Sequence, residues 1–550
     1  MANAGGLTAG AAPQVRERWQ RAAWAGAYAA TTFLAFPHEL AGFVLDLGWL
    51  FAWWPPALLL LAVRGLGAKR AAGLGFVAGT LAHALVWHWI FVVTVRYGHA
   101  PPWVGVAAPL LLAFYPALFI AAFAAAGERL SARSTLGPLA LAALWTAFEQ
   151  GRSFVLTGFP WATLGYAQHQ NDWLLGLAPW TGVYGLSFGA ALGGGCALEW
   201  LLRREPGRSA RRALAGLALL LALHAAGALG REPEIQAGRE PAVPGARSLR
   251  IAVLQGNVEQ GVKWSEAWAE RTLVLYESLT REAAAQGARL VVWPETALPG
   301  APDGDPALEQ RLAALARQTG TTLVVGAVGL SFGPTGELEG IFDSALLYDP
   351  AGTRLERYDK SHLVPFGEYL PLRALFGRFI RAVATGAAGR DVSAGPGPRA
   401  LELPAAETGE PVVTLGVPIC YELLFPDLVR RFAGGGAQVL LAITNDAWYG
   451  RTGAPHQFLA ITALRSAENG MWTARAANTG VSALIDARGQ VRERTPIFEQ
   501  GLLVGDVPLR DAGRSPTFYA RHGEWLPLGC WLASVGLLAR DWRRHTGARA

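Results

Sequence analysis

Three short stretches of the chain hold residue types that could perform covalent chemistry together. In Trp293-Pro294-Glu295-Thr296, a carboxylate follows an apolar run, and a carboxylate emerging at a strand end is placed to act as a general base. Tyr358-Asp359-Lys360-Ser361-His362 holds one of only three lysines among 48 basic residues, the others being Lys69 and Lys263. An ammonium is a compact point donor that can approach a developing oxyanion, whereas a guanidinium is a broad fork. Gly416-Val417-Pro418-Ile419-Cys420-Tyr421-Glu422 carries an apolar run into a lone thiol, ahead of a helix-like stretch. A thiolate at such a turn is stabilised by the helix N-terminus, and the Tyr421 amide is placed to help hold an oxyanion.

Taken singly, each has a plainer reading. Glu295 would be a surface glutamate at a turn, Lys360 a salt-bridged surface lysine, and Cys420 inert packing. Together they supply a nucleophile, a base for its proton and a cation for the oxyanion, which indicates a cysteine acyl transferase or amidase. His362, His456 and His522 show no metal-ligand spacing, so no metal is expected. Cys196, Cys420 and Cys530 are too few and too far apart for a disulfide framework or a zinc knuckle.

The elements that must position these groups are short apolar, β-branched runs at 249–254, 290–293, 322–328, 345–348, 412–419, 439–443 and 481–485, read as strands. Amphipathic stretches such as 266–286 and 307–319 lie between them and read as helices. An α/β or α+β sandwich follows, with working side chains just past the carboxyl ends of strands.

The rest of the chain belongs to another environment. It is 52% hydrophobic and 16% charged with mean hydropathy +0.24, and residues 22–202 hold only 13 charged side chains in 181 positions, which suits hydrocarbon. Candidate spans lie at 22–38, 40–63, 71–95, 103–126, 136–154, 173–201, 213–230 and 525–539. Basic clusters at Arg16 to Arg21, Arg64 to Arg70, Arg129 and Arg133, Arg203 to Arg212, and Arg540 to Arg549 each follow an even number of these eight crossings. The positive-inside rule then puts both termini in the cytoplasm and the segment between spans seven and eight outside. The expected organisation is therefore spans one to seven in 1–230, a linker at 231–247, the catalytic domain in 248–510, and a linker, the last span and a cytoplasmic tail in 511–550. The net charge of +6 sits in short Arg blocks between apolar runs and not along one face, so nucleic acid is not an expected partner.

The order Glu295, Lys360, Cys420 in these surroundings resembles the nitrilase superfamily, and with eight spans around the domain the whole chain resembles its membrane-bound apolipoprotein N-acyltransferase family. Thr157-Gly158-Phe159-Pro160-Trp161, the stretch 362–371 and Thr444-Asn445-Asp446-Ala447-Trp448-Tyr449-Gly450 are further shared phrases. The resemblance implies a helical membrane bundle of about eight transmembrane helices plus an extracytoplasmic α+β αββα sandwich. It further implies that Glu295 is the base, Lys360 the oxyanion holder and Cys420 the acyl-carrying nucleophile, with Glu368, Glu422 and Tyr421 supporting them. Trp264, Trp448 and Trp161 match aromatic positions near the lipid path.

The implied reaction moves a fatty acyl chain from a membrane phospholipid through a Cys420 thioester to the α-amine of a diacylglyceryl apolipoprotein, without a cofactor. The implied setting is the bacterial inner membrane, with a monomer whose catalytic domain faces the periplasm. A thioester must be kept from bulk water, so the site is expected to open toward lipid, with the apolar and cationic arm 370–394 at the headgroup boundary and 385–397 as its hinge. A membrane-tethered amidase and a non-catalytic scaffold are the alternatives.

Overall fold

A computed structural model describes residues 11–131, 136–202, 206–229, 247–259, 266–371, 391–404 and 412–547. Trp264, most of the arm 370–394 and the linker at 231–247 lie outside these residues, apart from Arg247.

The first half is helical. Its main helices are α1 (Ala11–Leu34), α2 (Pro55–Val63), α3 (Ala68–Val86), α4 (Pro102–Ser131), α5 (Pro138–Gly151), α6 (Val183–Leu202) and α7 (Pro206–Leu229). Among the described residues two helical stretches, Pro102–Ser131 and Ser209–Gly227, are long and apolar enough to cross a membrane. A third joins them if α3 and the adjoining segment Ile90–Tyr97, bent by 67°, count as one span. The last expected span lies in an unbroken helix, Trp525–Gly547, that is long but not apolar enough, and several of the others are short or interrupted. The 40–63 stretch begins in a hairpin, β1 (His38–Leu40) paired antiparallel with β2 (Phe43–Leu45), because Ala41 and Gly42 both take positive φ and turn the chain in two residues. Only the nine-residue α2 and a four-residue turn of helix follow it. Helix α5 has 14 residues, about 21 Å of helix against about 30 Å of hydrocarbon.

Close helix contacts come from small residues. A Cβ on Gly75 of α3 would stand 2.6 Å from the Ala124 methyl of α4, so these two helices pack nearly backbone to backbone. At one end of the bundle Arg21 bonds the carbonyls of Ala62 and Arg64 at 3.2 and 2.5 Å, Gly65 donates to Glu128 at 2.9 Å, and Arg129 pairs with Asp541 at 2.6 Å. Three of the basic clusters seen in the sequence thus meet at that end.

The second half is a four-layer sandwich. One sheet joins β3 (Ser248–Gln255), β4 (Leu290–Val292), β5 (Thr322–Phe332), β6 (Leu338–Tyr348) and β7 (Arg354–Asp359), with the late strand β14 (Gly501–Pro508) beside β3. The other orders β13 (Val491–Arg494), β12 (Ala483–Ile485), β11 (Thr473–Ala477), β10 (Val439–Thr444), β9 (Val413–Gly416) and β8 (Leu401–Leu403). Each sheet has a parallel centre, β3–β4–β5 and β9–β10–β11, flanked by antiparallel strands.

Alternation along the strands builds the layers. Ile251 and Val253 pack toward the second sheet, while Ala252 and Leu254 pack with residues of α8 (Glu266–Ala285) and α9 (Pro306–Thr319). Helices α10 (Pro426–Gly434) and α11 (Ala454–Asn469) pack on the second sheet. The chain closes with α12 (Trp525–Gly547), whose Cys530 packs on Ala143 and Ala147 of α5. Each of the seven apolar runs, most of them expected as strands, holds one, and the expected αββα sandwich is present.

Candidate active site

The parallel strands of both sheets deliver their carboxyl ends to one region, where the polypeptide leaves each strand and can present a side chain. Strand β4 runs out through Trp293, whose indole donates to Thr280 at 3.0 Å and stacks on Tyr276 at 4.9 Å. That anchor fixes the following Pro294-Glu295 turn. A Cβ on Gly326 of β5 would lie 2.0 Å from the Pro294 carbonyl, so the turn settles directly on the sheet only because glycine is there. Glu295 is buried, and its two oxygens accept from Lys360 Nζ at 3.2 Å and from the Asn445 amide at 2.7 Å.

Lys360 follows β7 and is completely buried. Its ammonium meets three carboxylates: Glu368 at 2.5 Å, Glu295 at 3.2 Å and Asp343 at 3.4 Å. Burial alone would strip this proton, but the neighbouring acidic groups, Glu368 and Glu295 foremost, outweigh burial and hold the lysine's pKa well above its ordinary value. Oxygens of Glu295, Asp343 and Glu368 lie within 4.8 Å of one another, a separation that suits a cation, and the ammonium bonded to all three already fills that role. Glu368 turns its second oxygen back to the Val364 amide at 2.8 Å, which locks the Pro-Phe-Gly-Glu loop in place.

Cys420 sits where β9 ends, with φ of +47° at the first residue of the 3₁₀ turn Cys420–Leu424. A non-glycine residue in this region is a strained conformation that persists only where the surroundings enforce it. Enforcement comes from Glu422. One of its oxygens accepts from the Ile419 amide at 2.8 Å, and the other from Tyr358 Oη at 2.7 Å and from the Ser361 amide and hydroxyl, both at 2.8 Å. Glu422 thus ties the cysteine turn to the loop that carries Lys360.

The thiol differs from the thiolate anticipated at this turn. Burial raises the Cys420 pKa well above that of a free cysteine, and the Glu295 charge adds to that rise, against the opposing pull of Lys360 and Thr444. The sulfur therefore rests as a thiol and needs a base. The five-residue 3₁₀ turn is too short to reverse that balance.

Tyr421 is buried against Phe425, His362 and Phe159 at centroid distances of 5.2, 5.7 and 6.4 Å, and its hydroxyl meets the Gly158 carbonyl at 3.5 Å. This is one direct contact between the cysteine turn and the helical half; Tyr166 Oη, which donates to the Leu424 carbonyl at 3.3 Å, makes another. The Gly158 loop is itself held by Arg152, whose guanidinium reaches the Ala162 carbonyl at 2.6 Å and His83 at 3.0 Å beside Glu149 at 3.5 Å.

Of the three tryptophans expected on the lipid path, Trp448 is 38% exposed and meets Tyr97 of the bundle edge-on at 5.9 Å. Trp161 is only 2% exposed, with its indole bonded to Gln457 at 2.8 Å among Trp89, Tyr449 and Phe458. It therefore braces the junction between bundle and sandwich. Trp264 lies outside the described residues.

Three residues of the site were not picked out from sequence. Asp343 lies inside strand β6, where one acidic residue in an alternating run looks like a solvent-facing position. Asn445 gives its amide to Glu295, and Arg475 of β11 pairs with Asp446 at 2.8 Å, both fully buried. Gly329-Leu330-Ser331-Phe332-Gly333 has the spacing of a serine nucleophile turn, yet Ser331 lies within the β5 ladder opposite Gly340 and makes no such turn.

Comparison with known proteins agrees in both halves. Residues 250–517 match the carbon-nitrogen hydrolase family, and residues 19–196 match the apolipoprotein N-acyltransferase N-terminal domain. Curated apolipoprotein N-acyltransferases from Geobacter metallireducens, Azotobacter vinelandii and Pseudomonas aeruginosa are 37%, 36% and 35% identical over 502, 507 and 533 residues. The alignments cover 90%, 90% and 95% of this chain and 91%, 91% and 96% of theirs. Among solved structures, an amidase from Nesterenkonia sp. AN1 in complex with butyramide is 25% identical with a TM-score of 0.36, covering 51% of this chain and 95% of that one.

Proposed function

The chain belongs to the apolipoprotein N-acyltransferase family, and we propose that Cys420, Glu295 and Lys360 run its reaction, with a phospholipid as acyl donor and a lipoprotein as acceptor. The observation that carries this reading is a buried cysteine at a strand end, electrostatically coupled to a carboxylate and an ammonium that are bonded to each other.

Glu295 takes the Cys420 proton as the sulfur attacks the ester carbonyl of the phospholipid. The S–H bond breaks, an S–C bond forms, and the carbonyl oxygen gains the negative charge, which Lys360 Nζ neutralises. On collapse the ester C–O bond breaks, and the departing lysophospholipid oxygen receives the proton held by Glu295. In the second half the α-amine of the diacylglyceryl-cysteine attacks the thioester. Glu295 accepts a proton from nitrogen, the C–S bond breaks, and that proton returns to sulfur. The amine product keeps the acyl chain, and the enzyme is back in its starting state. Glu368 holds Lys360 in place through both halves, and Glu422 and Tyr421 hold the cysteine turn.

The finer topology belongs to the same proposal. Eight crossings in the inner membrane, with spans one to seven in 1–230, a linker at 231–247, the catalytic domain of 248–510 on the periplasmic side and the last span in 511–550, account for the even spacing of the basic clusters. The gathering of Arg21, Arg64, Arg129 and Asp541 at one end of the bundle supports it, as does the contact of Gly158 and Trp161 with the sandwich. One chain holds every group the reaction uses, so the working unit is a monomer.

Mass spectrometry of the purified protein after incubation with phospholipid tests the reading. A fatty-acyl adduct on Cys420 that is removed by a diacylated lipopeptide with a free amine is the expected result. No adduct, or ammonia and a carboxylate released from simple amides without one, would overturn it in favour of an amidase.

A further inference from the structure

One ammonium faces three carboxylates in a buried site, and the charges do not balance. Lys360 Nζ touches Glu368, Glu295 and Asp343, each of which would be an anion in water. Two adjacent buried carboxylates do not both ionise when a single proton can be shared between them. The geometry indicates where such a proton goes. Asp343 is buried on β6, and its backbone carbonyl accepts from the Lys360 amide at 2.9 Å, so the two residues are fixed relative to each other. Among the described residues its Oδ2 accepts only from Lys360, at a long 3.4 Å, and its Oδ1 meets no donor.

Oxygens of the neighbouring carboxyl, Glu295, and of Asp343 lie within 4.8 Å of each other, both against the Lys360 ammonium. Two carboxyls can share a hydrogen bond only when one carries the hydrogen. Glu295 already accepts from an ammonium and from the Asn445 amide, both of which favour its anion. Asp343 has no comparable support, so the hydrogen belongs to Asp343.

We infer that Asp343 is a positioning residue that stays protonated through turnover and donates its hydrogen to Glu295, keeping the base ionised and aimed at Cys420. This rests on the reaction proposed above and adds a fourth group to it. The Asp343 hydrogen does not enter the balance of either half-reaction: the proton that travels is the one exchanged between Cys420, Glu295 and the substrates. The charged and titratable groups facing Asp343 are Glu295 from the turn after β4, Lys360 from the end of β7 and Glu368 from the loop beyond it, with Cys420 across Glu295. Burial, followed by the Glu295 charge, raises the Asp343 pKa well above that of an ordinary aspartate, in agreement with this assignment.

The test compares substitutions in the full-length protein by the rate of Cys420 thioester formation from phospholipid across pH. Asp343→Asn keeps a neutral donor of the same size, so the rate should stay within about threefold of wild type with an unchanged pH profile. Asp343→Leu removes the donor. Glu295 then loses support for its anion, its pKa rises, and the acidic limb of the profile should move up by roughly one pH unit or more, with the neutral-pH rate down on the order of tenfold. If packing disturbs the Asn variant, Asp343→Ser retains a donor in less volume, and it should keep the pH profile of the wild type. Asn and Leu variants that are equally impaired would mean an ionised Asp343 is needed, and an unmoved acidic limb in the Leu variant would mean no bond to Glu295; either overturns the inference. Wild-type protein that forms no thioester would instead sink the reaction itself, so the two failures are told apart.

Discussion

Glu422 touches no substrate in the proposed mechanism, yet its replacement should be among the most damaging in the domain. It serves as common acceptor for Ile419 N, Tyr358 Oη and both donors of Ser361, linking the strained Cys420 turn to the Lys360 loop. Glu422→Ala leaves the fully buried Ile419 amide without its carboxylate acceptor and the Tyr358 hydroxyl with only Ser361 Oγ, 3.4 Å away. An orphaned buried donor costs about 1–3 kcal/mol, so with the weakened Tyr358 and Ser361 bonds the loss is about 2 kcal/mol or more before any cavity is counted. For a domain of this size that corresponds to a melting temperature lowered by at least about 4 °C.

Function should fall further than stability, because the freed turn lets Cys420 leave its positive-φ conformation and lose its alignment with Glu295. Glu422→Gln separates the two ends of the link: one amide oxygen still serves Tyr358 and Ser361, while its NH₂ faces the Ile419 N–H donor to donor, for roughly half the loss. Thermal unfolding in detergent and the rate of acyl adduct formation on Cys420 read both effects. An alanine variant that melts within about 1 °C of wild type and acylates at the same rate would refute the reasoning.

Three further outcomes are expected. Because burial and the Glu295 charge hold the Cys420 thiol neutral, alkylation by iodoacetamide should be slow near neutrality and climb about tenfold per pH unit, and Glu295→Gln should move that climb to lower pH; full labelling already below neutrality would contradict a resting thiol. Arg152→Lys keeps the charge but loses the fork that holds the Ala162 carbonyl and His83, so the Gly158 loop should loosen against Tyr421 and acyl transfer should drop by about tenfold, measured as initial rate; an unchanged rate would separate that loop from catalysis. Burial pushes Glu468 up to about 7, against the pull of Arg465 and the Val183 amide. The folded state then binds this proton more tightly than the unfolded state, so stability falls as pH rises from the ordinary glutamate range to that value, and Glu468→Gln should flatten the melting-temperature slope over that window.

Much of this architecture was legible from residue patterns. Strands announce themselves where β-branched runs end at Pro, Gly or a charged motif, and Glu295 and Cys420 stand just past such an end, while Lys360 follows β7, whose charged residues carry no strand signal. Their convergence was inferred from chemistry, since no local pattern encodes which strand ends meet. The strands β7, β8, β11 and β13 escaped because they are short or built from alanine and charged residues, whose β preference comes from neighbours and not from themselves, and β14 was also not read from the sequence. In the membrane half, hydropathy marks apolar length but not continuity. The hairpin at Ala41-Gly42 and the short α5 depend on backbone turns and on the buried Arg152 and Glu149 pair, which hydropathy registers only as an interruption. Trp161 illustrates the same limit: an aromatic in a membrane-side loop can face lipid or brace a joint, and Gln457, distant in sequence, decides which.

The sulfur at the centre of this site is kept quiet by its own surroundings. A thiolate attacks oxidants and disulfides, and a hydrogen-capped sulfur with little solvent contact reacts with them only slowly. The other two cysteines, Cys196 and Cys530, belong to helices of the bundle and offer no resolving partner in the sandwich. If the proposed orientation and role of Cys420 hold, such burial would let an unpaired nucleophile persist on an oxidising face of the cell without a dedicated reductant.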